Sequence, residues 1–368
     1  MGLVEGILLV RIFLQGLLPV FPIITKQLGV NKFQTGLLMA LLFSAMCIGT
    51  IIIGKLSTIG WNVKRLIFIV TIPLSLSLFS IGFASNYFEM LLSAIILGFS
   101  CGAYIIGHFI LLGRHSDSMS ASNNFSFISF TNLLATVIGS FIMGFCIKQF
   151  GIKISFTLFS LILFFNTFSI LLLREVDSTI NKRIIAKFIF QKRYIWLLIA
   201  SLLSIMCIYI FSFTLALSLS EHNYPIYQIA YYTSIGTVIM SWFPLLLGRI
   251  TNQKSSKKSF IVCLLGVLIA FGILLFGSHA YLYILAIAFM TLMTYPFFIP
   301  VMQKIFTWYK RDQLPMAQSY YTATAWVAAT IGYLLTGTIL QYSGFYFAII
   351  TGFGVAILAL TIIVIKIE

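Results

Sequence analysis

The stretch Gly54-Lys55-Leu56-Ser57-Thr58, followed by Lys64-Arg65, returns as Gly248-Arg249-Ile250-Thr251-Asn252, followed by Lys254, Lys257 and Lys258. Each copy leaves an apolar run, turns at a glycine, presents a small hydroxyl residue and enters basic charge. The two glycines stand 194 residues apart in a chain of 368. A second echo, Ala135-Thr136-Val137-Ile138-Gly139 against Ala329-Thr330-Ile331-Gly332, lies at an offset of 193, and another glycine follows five residues later in each copy, at Gly144 and Gly337. Two matches at one period indicate a duplicated half, a feature that reorganises every later inference. The expected plan is two similar halves.

Composition decides the solvent. Hydrophobic residues make up 60% of the chain and charged residues 8%, against about a quarter charged in a soluble domain. Such a chain has too little polar surface to face water. Its apolar runs, each roughly 18 to 25 residues, match a hydrocarbon layer about 30 Å thick. Twelve spans are expected, at about 2–25, 35–54, 66–84, 88–112, 124–147, 152–173, 194–218, 227–248, 258–276, 279–303, 318–341 and 345–366. The first run has no charged start or small-residue cleavage site, so it reads as a retained span and not as a signal peptide. The expected fold is an all-α polytopic membrane protein of twelve transmembrane helices.

The net charge of +15 could suggest nucleic acid, but its distribution argues otherwise. With these spans, 18 Lys and Arg residues fall in loops on one side, four (Lys26, Lys32, Lys148 and Lys153) on the other, and Arg11 lies inside a span. The positive-inside rule places the basic side, with both termini, in the cytoplasm of a cell membrane. The stretch Arg174 to Arg193 is the longest polar connection and divides the chain into 1–173 and 194–368, with 174–193 as a basic linker. Its apolar segment Ile184 to Phe190 lies between Lys182-Arg183 and Lys192-Arg193, and reads either as a short basic amphipathic helix on the inner leaflet or as a mobile surface loop.

Span one carries Glu5 and Arg11 and ends in Pro19-Val20-Phe21-Pro22. An arginine near the bilayer centre costs about 2.5–3.5 kcal/mol on insertion scales, so it should face a cavity or a partner. Gln15, four residues on, shares its face, whereas Glu5 does not. Arg11 is either a structural arginine held by a neighbouring helix or an anion-binding group. Glu5 is either interfacial or, if buried and desolvated, a proton carrier.

Further polar side chains recur in spans four, five, seven, eight, ten and eleven. Tyr104 and His108 share a face of span four, where His108 is a satisfied histidine or a proton relay. Span five holds Ser126, Ser129, Thr131, Asn132 and Thr136, most of them packing groups, with Asn132 the best cavity candidate. Span seven offers Tyr209 and Ser212, and span eight Tyr227, Tyr231 and Tyr232, of which the deeper are site candidates and the rest an aromatic belt. Span ten holds Thr291, Thr294 and Tyr295 before Pro296 and Pro300, which loosen the helix and free carbonyls that must find donors. Span eleven contributes Tyr320, Tyr321, Thr324 and Trp326.

The five cysteines fall within spans without metal spacing, and no histidine pair stands at ligand distance, so no metal site is expected. No phosphate-binding glycine loop with a lysine, nucleophile elbow or paired carboxylates within a span appears. An enzyme, a cofactor and an ATP-driven pump are therefore not expected.

Twelve spans, a 6+6 parallel repeat, a basic central loop and the Gly-x-Leu-Ser-x stretch between spans two and three resemble the major facilitator superfamily over essentially the whole chain. The family's loop pattern is Gly-x-Leu-(Ser/Ala)-Asp with a following glycine and two basic residues. Here Thr58 replaces the aspartate, Gly60 comes one place early and Lys64-Arg65 come late, while Asn252 holds the aspartate position in the second copy. Gly54, Lys55, Thr58, Lys64, Arg65, Gly248, Arg249 and Asn252 would form the gating loops. Span five lacks the antiporter proline beside Gly139 and Gly144, and Ala94 stands where many drug–proton antiporters carry arginine.

The resemblance implies a secondary active transporter whose halves rock about a midplane site, exposing it alternately to each side. It also implies that spans one, four, seven and ten line the cavity. The substrate-binding candidates are Arg11, Gln15, Tyr104, Asn132, Tyr209, Ser212, Tyr231, Thr291, Tyr295 and Trp326, with Glu5 and His108 as proton-coupling candidates. A central cation without a central carboxylate points to a small organic anion or amphipathic metabolite, with efflux slightly favoured and protons the candidate coupling ion. A monomer is expected. Two alternatives are a lipid-headgroup flippase, which a lateral opening between spans five and eight or two and eleven would favour, and a non-transporting sensor or assembly partner.

Overall fold

The computed structural model describes residues 11–114, 121–171, 190–251, 256–276, 279–310 and 313–367. Every element among them is helical. Helix α1 is described over 11–17 and α2 covers Phe21–Gln27; α3 is Lys32–Thr58, α4 Val63–Phe83, α5 Tyr87–Arg114 and α6 Ala121–Leu171. The second half contains α7 Lys192–Glu221, α8 Ile226–Met240, α9 Phe243–Ile250, α10 Ser256–Leu275, α11 Ala280–Thr294, α12 Phe298–Trp308, α13 Leu314–Tyr342 and α14 Phe345–Lys366.

These helices make twelve crossings. Ten long apolar helical segments are found among the described residues, one of which, Asn123–Phe168, contains two crossings. Gly151 divides it: its φ of 75° and ψ of 174° lie where a side chain is disfavoured and glycine is not. Helices α1 and α2 supply the remaining crossing. Their lipid-facing surface keeps Ile69, Leu76, Phe141, Phe165 and Ile350 exposed, an apolar belt that water would not tolerate and hydrocarbon does. The basic ends of the crossings carry Lys55, Arg65, Lys258 and Lys310; the opposite ends carry Lys26, Lys32, Lys148 and Lys153 and both described acids, Glu89 and Glu221.

Local sequence explains the element boundaries. Asn31 and Gln34 form a reciprocal capping box at the start of α3, with bonds of 2.8 and 3.0 Å, satisfying two backbone donors that the first turn leaves open. Asn62 caps α4 through the Arg65 N–H, and Asn86 accepts from the Glu89 N–H at the start of α5. Prolines interrupt three crossings. Span one breaks at Leu18–Val20 before Pro22, span eight at Ser241–Trp242 before Pro244, and span ten at Tyr295–Phe297 around Pro296. The span-one prolines therefore interrupt the crossing instead of ending it, and the span-eight break was not expected. Pro244 lacks the amide that would continue the ladder, which accounts for it.

The repeated glycines do not make the turns expected of them. Gly54 lies inside α3 and Gly248 inside α9; the chain turns later, at Gly60, whose φ is 94°. Gly54 is small because α13 approaches: a Cβ there would collide with Ser319. The other echo is explained by packing. Gly139 of span five docks on the Ile12 carbonyl and Gly16 of span one. Gly332 of span eleven docks on span seven, where a Cβ would sit 3.2 Å from the Met206 carbonyl and 3.1 Å from Tyr209 Cβ. A Cβ on Gly144 would sit 3.0 Å from the Tyr227 carbonyl oxygen of span eight, and one on Gly337 would sit 3.0 Å from the Gly36 Cα of span two. Each glycine of the first half thus makes the contact that its counterpart makes in the second. The structure is two six-helix halves related by a parallel repeat, joined along the α3–α13 and α6–α8 seams.

Candidate functional site: a central cavity

The breaks in spans one and ten open onto a central cavity of about 250 Å³ between the halves. Eight of the ten expected substrate-site residues stand on its wall: Arg11 and Gln15 from span one, Asn132 from five, Tyr209 and Ser212 from seven, Thr291 and Tyr295 from ten, and Trp326 from eleven. Two do not. Tyr104 lies behind the wall, hydrogen-bonded to Asn166 and packed at a tilt against His108, ring centres 4.2 Å apart. Tyr231 packs on Phe141 at the α6–α8 seam. Thr291 reaches the wall with its hydroxyl engaged by the Ile287 carbonyl of its own helix, 2.8 Å away.

Arg11 is 7% exposed. Its guanidinium carbon lies 5.7 Å from the centre of the Phe109 ring, within the range of a cation–π contact. The Tyr295 phenol is within side-chain hydrogen-bonding reach of both Arg11 and Thr136. Among the described residues the only acidic side chains, Glu89 and Glu221, are exposed at the far end of the bundle. The polar wall is therefore cationic, with hydroxyl and amide donors close by. Glu5 lies outside the described residues. His108 is buried off the cavity, its Nδ1 2.9 Å from the Tyr104 carbonyl.

The opposite wall is aromatic. Phe43 stacks on Tyr333 at 5.3 Å and 16°, and lies 5.0 Å from Tyr209 and 5.8 Å from Trp326. The Trp326 indole N–H donates to the Thr50 hydroxyl at 3.0 Å, and that hydroxyl donates to the Gly102 carbonyl at 3.2 Å. Sequence reasoning missed Phe43, Phe109, Phe298 and Tyr333. Tyr333 follows the repeat glycine Gly332, and Phe298 follows the breaking Pro296, which are the signals that could have drawn them in.

Contacts between the halves lie on both sides of the cavity. Towards the basic end, the Ser129 hydroxyl donates to the Tyr295 carbonyl at 3.1 Å, and Phe109 and Phe125 pack on Phe298 at 5.2 and 5.3 Å. Towards the opposite end, Lys26 reaches the Ser220 hydroxyl at 3.3 Å and Lys32 pairs with Glu221. The loop residues Lys55, Arg65 and Arg249 are exposed and Lys64 is half-buried at the basic end, Thr58 bonds back to the Lys55 carbonyl, and Asn252 lies outside the described residues. Among the described residues no cluster of His, Cys, Asp or Glu could hold a metal ion.

A twelve-crossing bundle of two equivalent halves, broken beside a mid-depth cavity closed by contacts at either end, defines a polytopic helical carrier. The family model of the Major Facilitator Superfamily matches residues 5–306 and 243–368. The chain belongs to that family and is a multi-pass membrane transporter. Among solved structures, the human organic anion transporter MFSD10 superposes with a TM-score of 0.79 at 12% identity, covering 98% of each chain. A mutant of the nucleoside transporter NupG does so with a TM-score of 0.76 at 12% identity, over 100% of this chain and 99% of the other. At that identity the likeness is one of fold. No curated protein matches the chain.

Proposed function

We propose that this transporter carries a small organic anion or anionic amphipathic metabolite by alternating access. The observation that carries the reading is Arg11, a buried guanidinium on the cavity wall with Tyr295, Gln15 and Asn132 around it and, among the described residues, no carboxylate to neutralise it. Arginine's planar fork matches a carboxylate bidentately, and such charge-assisted bonds are roughly twice as strong as neutral ones. That a human protein of the same fold is named an organic anion transporter fits this reading. The bundles 1–173 and 194–368 rock against each other about the cavity, with 174–193 as their tether. By the positive-inside rule the basic end faces the cytoplasm of a cell membrane, and efflux is the favoured direction.

The lipid-headgroup reading has less support. It needs a sideways exit, and both seams are tightly packed: Gly36 on Gly337 and Gly54 on Ser319 along one, Gly144 on Tyr227 and the Ser234 hydroxyl on the Val137 carbonyl, 2.9 Å away, along the other. The test is metabolite profiling of cells and medium for a deletion strain, an overexpressor and an overexpressed Arg11→Ala variant. An anion that accumulates inside the deletion strain and leaves through the overexpressor, with Arg11→Ala inactive yet present in the membrane, is the expected result. Transport by Arg11→Ala at the wild-type rate would overturn the anion site.

A further inference from the structure

The repeat places the two walls of the cavity in register. The Met206 carbonyl receives Gly332 as the Ile12 carbonyl receives Gly139, which sets spans one and seven at the offset of 194. On that offset Arg11 is equivalent to Ile205 and Gln15 to Tyr209; in spans five and eleven, the offset of 193 that sets Gly139 against Gly332 makes Asn132 equivalent to Ala325, beside Trp326. All seven line the cavity. At each equivalent pair the first half presents a charge or an amide, and the second an aliphatic or aromatic side chain. The duplicated halves have diverged into two poles of one site.

We infer that the substrate is a planar aromatic ring bearing a single anionic group, held with the anion on the first half and the ring on the second. This deepens the proposed function and rests on it for the anionic pole. The ring pole stands on its own geometry. Because the Trp326 N–H is engaged by Thr50, the indole offers the cavity no donor, only apolar ring surface. Phe43, 5.8 Å from the indole, is stacked on Tyr333, and Tyr209 packs against both of those rings. Aromatic pairs prefer offset or edge geometries that saturated rings cannot reproduce, a preference worth roughly two- to tenfold in affinity per contact. The cavity, about 250 Å³, suits a ligand of one or two fused rings.

The experiment is calorimetric titration of the purified full-length protein with 2-naphthoate, its saturated counterpart decahydro-2-naphthoate, and the neutral 2-naphthamide. Wild type is expected to bind 2-naphthoate at least fivefold more tightly than the saturated acid. Trp326→Leu should narrow that ratio towards one, and Tyr209→Leu supplies the same comparison if Trp326→Leu fails to fold. Equal binding of the two acids, or no binding of either, overturns the ring inference. Equal binding of acid and amide, with Arg11→Gln without effect, overturns the anionic pole and leaves the ring pole standing, which separates failure of the proposed function from failure of this inference.

Discussion

The Ser129 hydroxyl of span five donates to the Tyr295 carbonyl of span ten across the line between the halves, at 3.1 Å. The same carbonyl accepts from the Phe298 N–H at 3.0 Å, so one oxygen serves both the turn at Pro296 and the neighbouring half. The shared acceptor at this turn interlocks the halves on the basic side of the cavity. Hydrogen bonds between helices in a bilayer contribute about 0.6 kcal/mol on average and up to about 1.7, enough to shift a two-state equilibrium roughly three- to twentyfold. Ser129→Ala should therefore raise the population open towards the basic end. Spin labels at Arg65→Cys and Lys258→Cys, read by pulsed electron resonance, should show a larger long-distance fraction; an unchanged distribution would remove Ser129 from the closure.

At the far end Lys32 and Glu221 join the halves, with Lys32 also 4.8 Å from the Phe345 ring. Both side chains are part-exposed, so the pair contributes less than about 1 kcal/mol and is screened by salt. Glu221→Gln should loosen this end by a few-fold at low ionic strength and have almost no effect at about 1 M salt. Labels at Lys26→Cys and Asn223→Cys report it. A salt-independent effect would mean that packing, not charge, closes this end.

Much of the fold was legible because membrane spans are written in long apolar runs and the repeat in glycines. The same glycines misled locally. Gly54 and Gly248 read as turn residues, yet they are helical, and at Gly54 the reason, the approach of Ser319, comes from a span some 260 residues later. The polar half of the candidate site was legible for a related reason: Arg11, Gln15 and Asn132 are conspicuous in an apolar chain. Phe43 and Phe109 were not, because among the 36 phenylalanines of this sequence nothing local separates a cavity wall from a lipid face. Tyr104 read as a site residue because span four was expected to line the cavity, and Tyr231 by its depth, but rotation about the helix axis, which neither fixes, turns them off the wall.

Glycine substitutions test the repeat directly. A Cβ at Gly139 would overlap the Ile12 carbonyl, and backbone cannot yield as a flexible side chain can. Gly139→Ala should destabilise the protein by about 1–3 kcal/mol, as overpacking does. Gly354 has nothing within 4 Å of the added atom, and Gly354→Ala should be neutral or stabilising by up to about 1 kcal/mol, since glycine weakens a helix interior. Thermal unfolding in one detergent compares the two. Equal effects would mean that the close approach of spans one and five is not what Gly139 provides.

The Trp326–Thr50–Gly102 chain joins spans eleven, two and four through one hydroxyl that both accepts and donates. Thr50→Val preserves shape but leaves the indole N–H buried without a partner, and an unsatisfied buried donor costs about 1–3 kcal/mol. Trp326→Phe removes the donor together with its need, leaving Thr50 bonded to the Gly102 carbonyl, so its loss comes from lost ring volume alone. The double variant should then be less destabilised than the sum of the two single variants by about 1 kcal/mol, because the orphaned donor is no longer present. A double-mutant cycle of unfolding free energies measures that coupling. Strict additivity would show that the indole N–H finds another partner when Thr50 is lost, and Trp326 would then not be held as a fixed plate for the cavity.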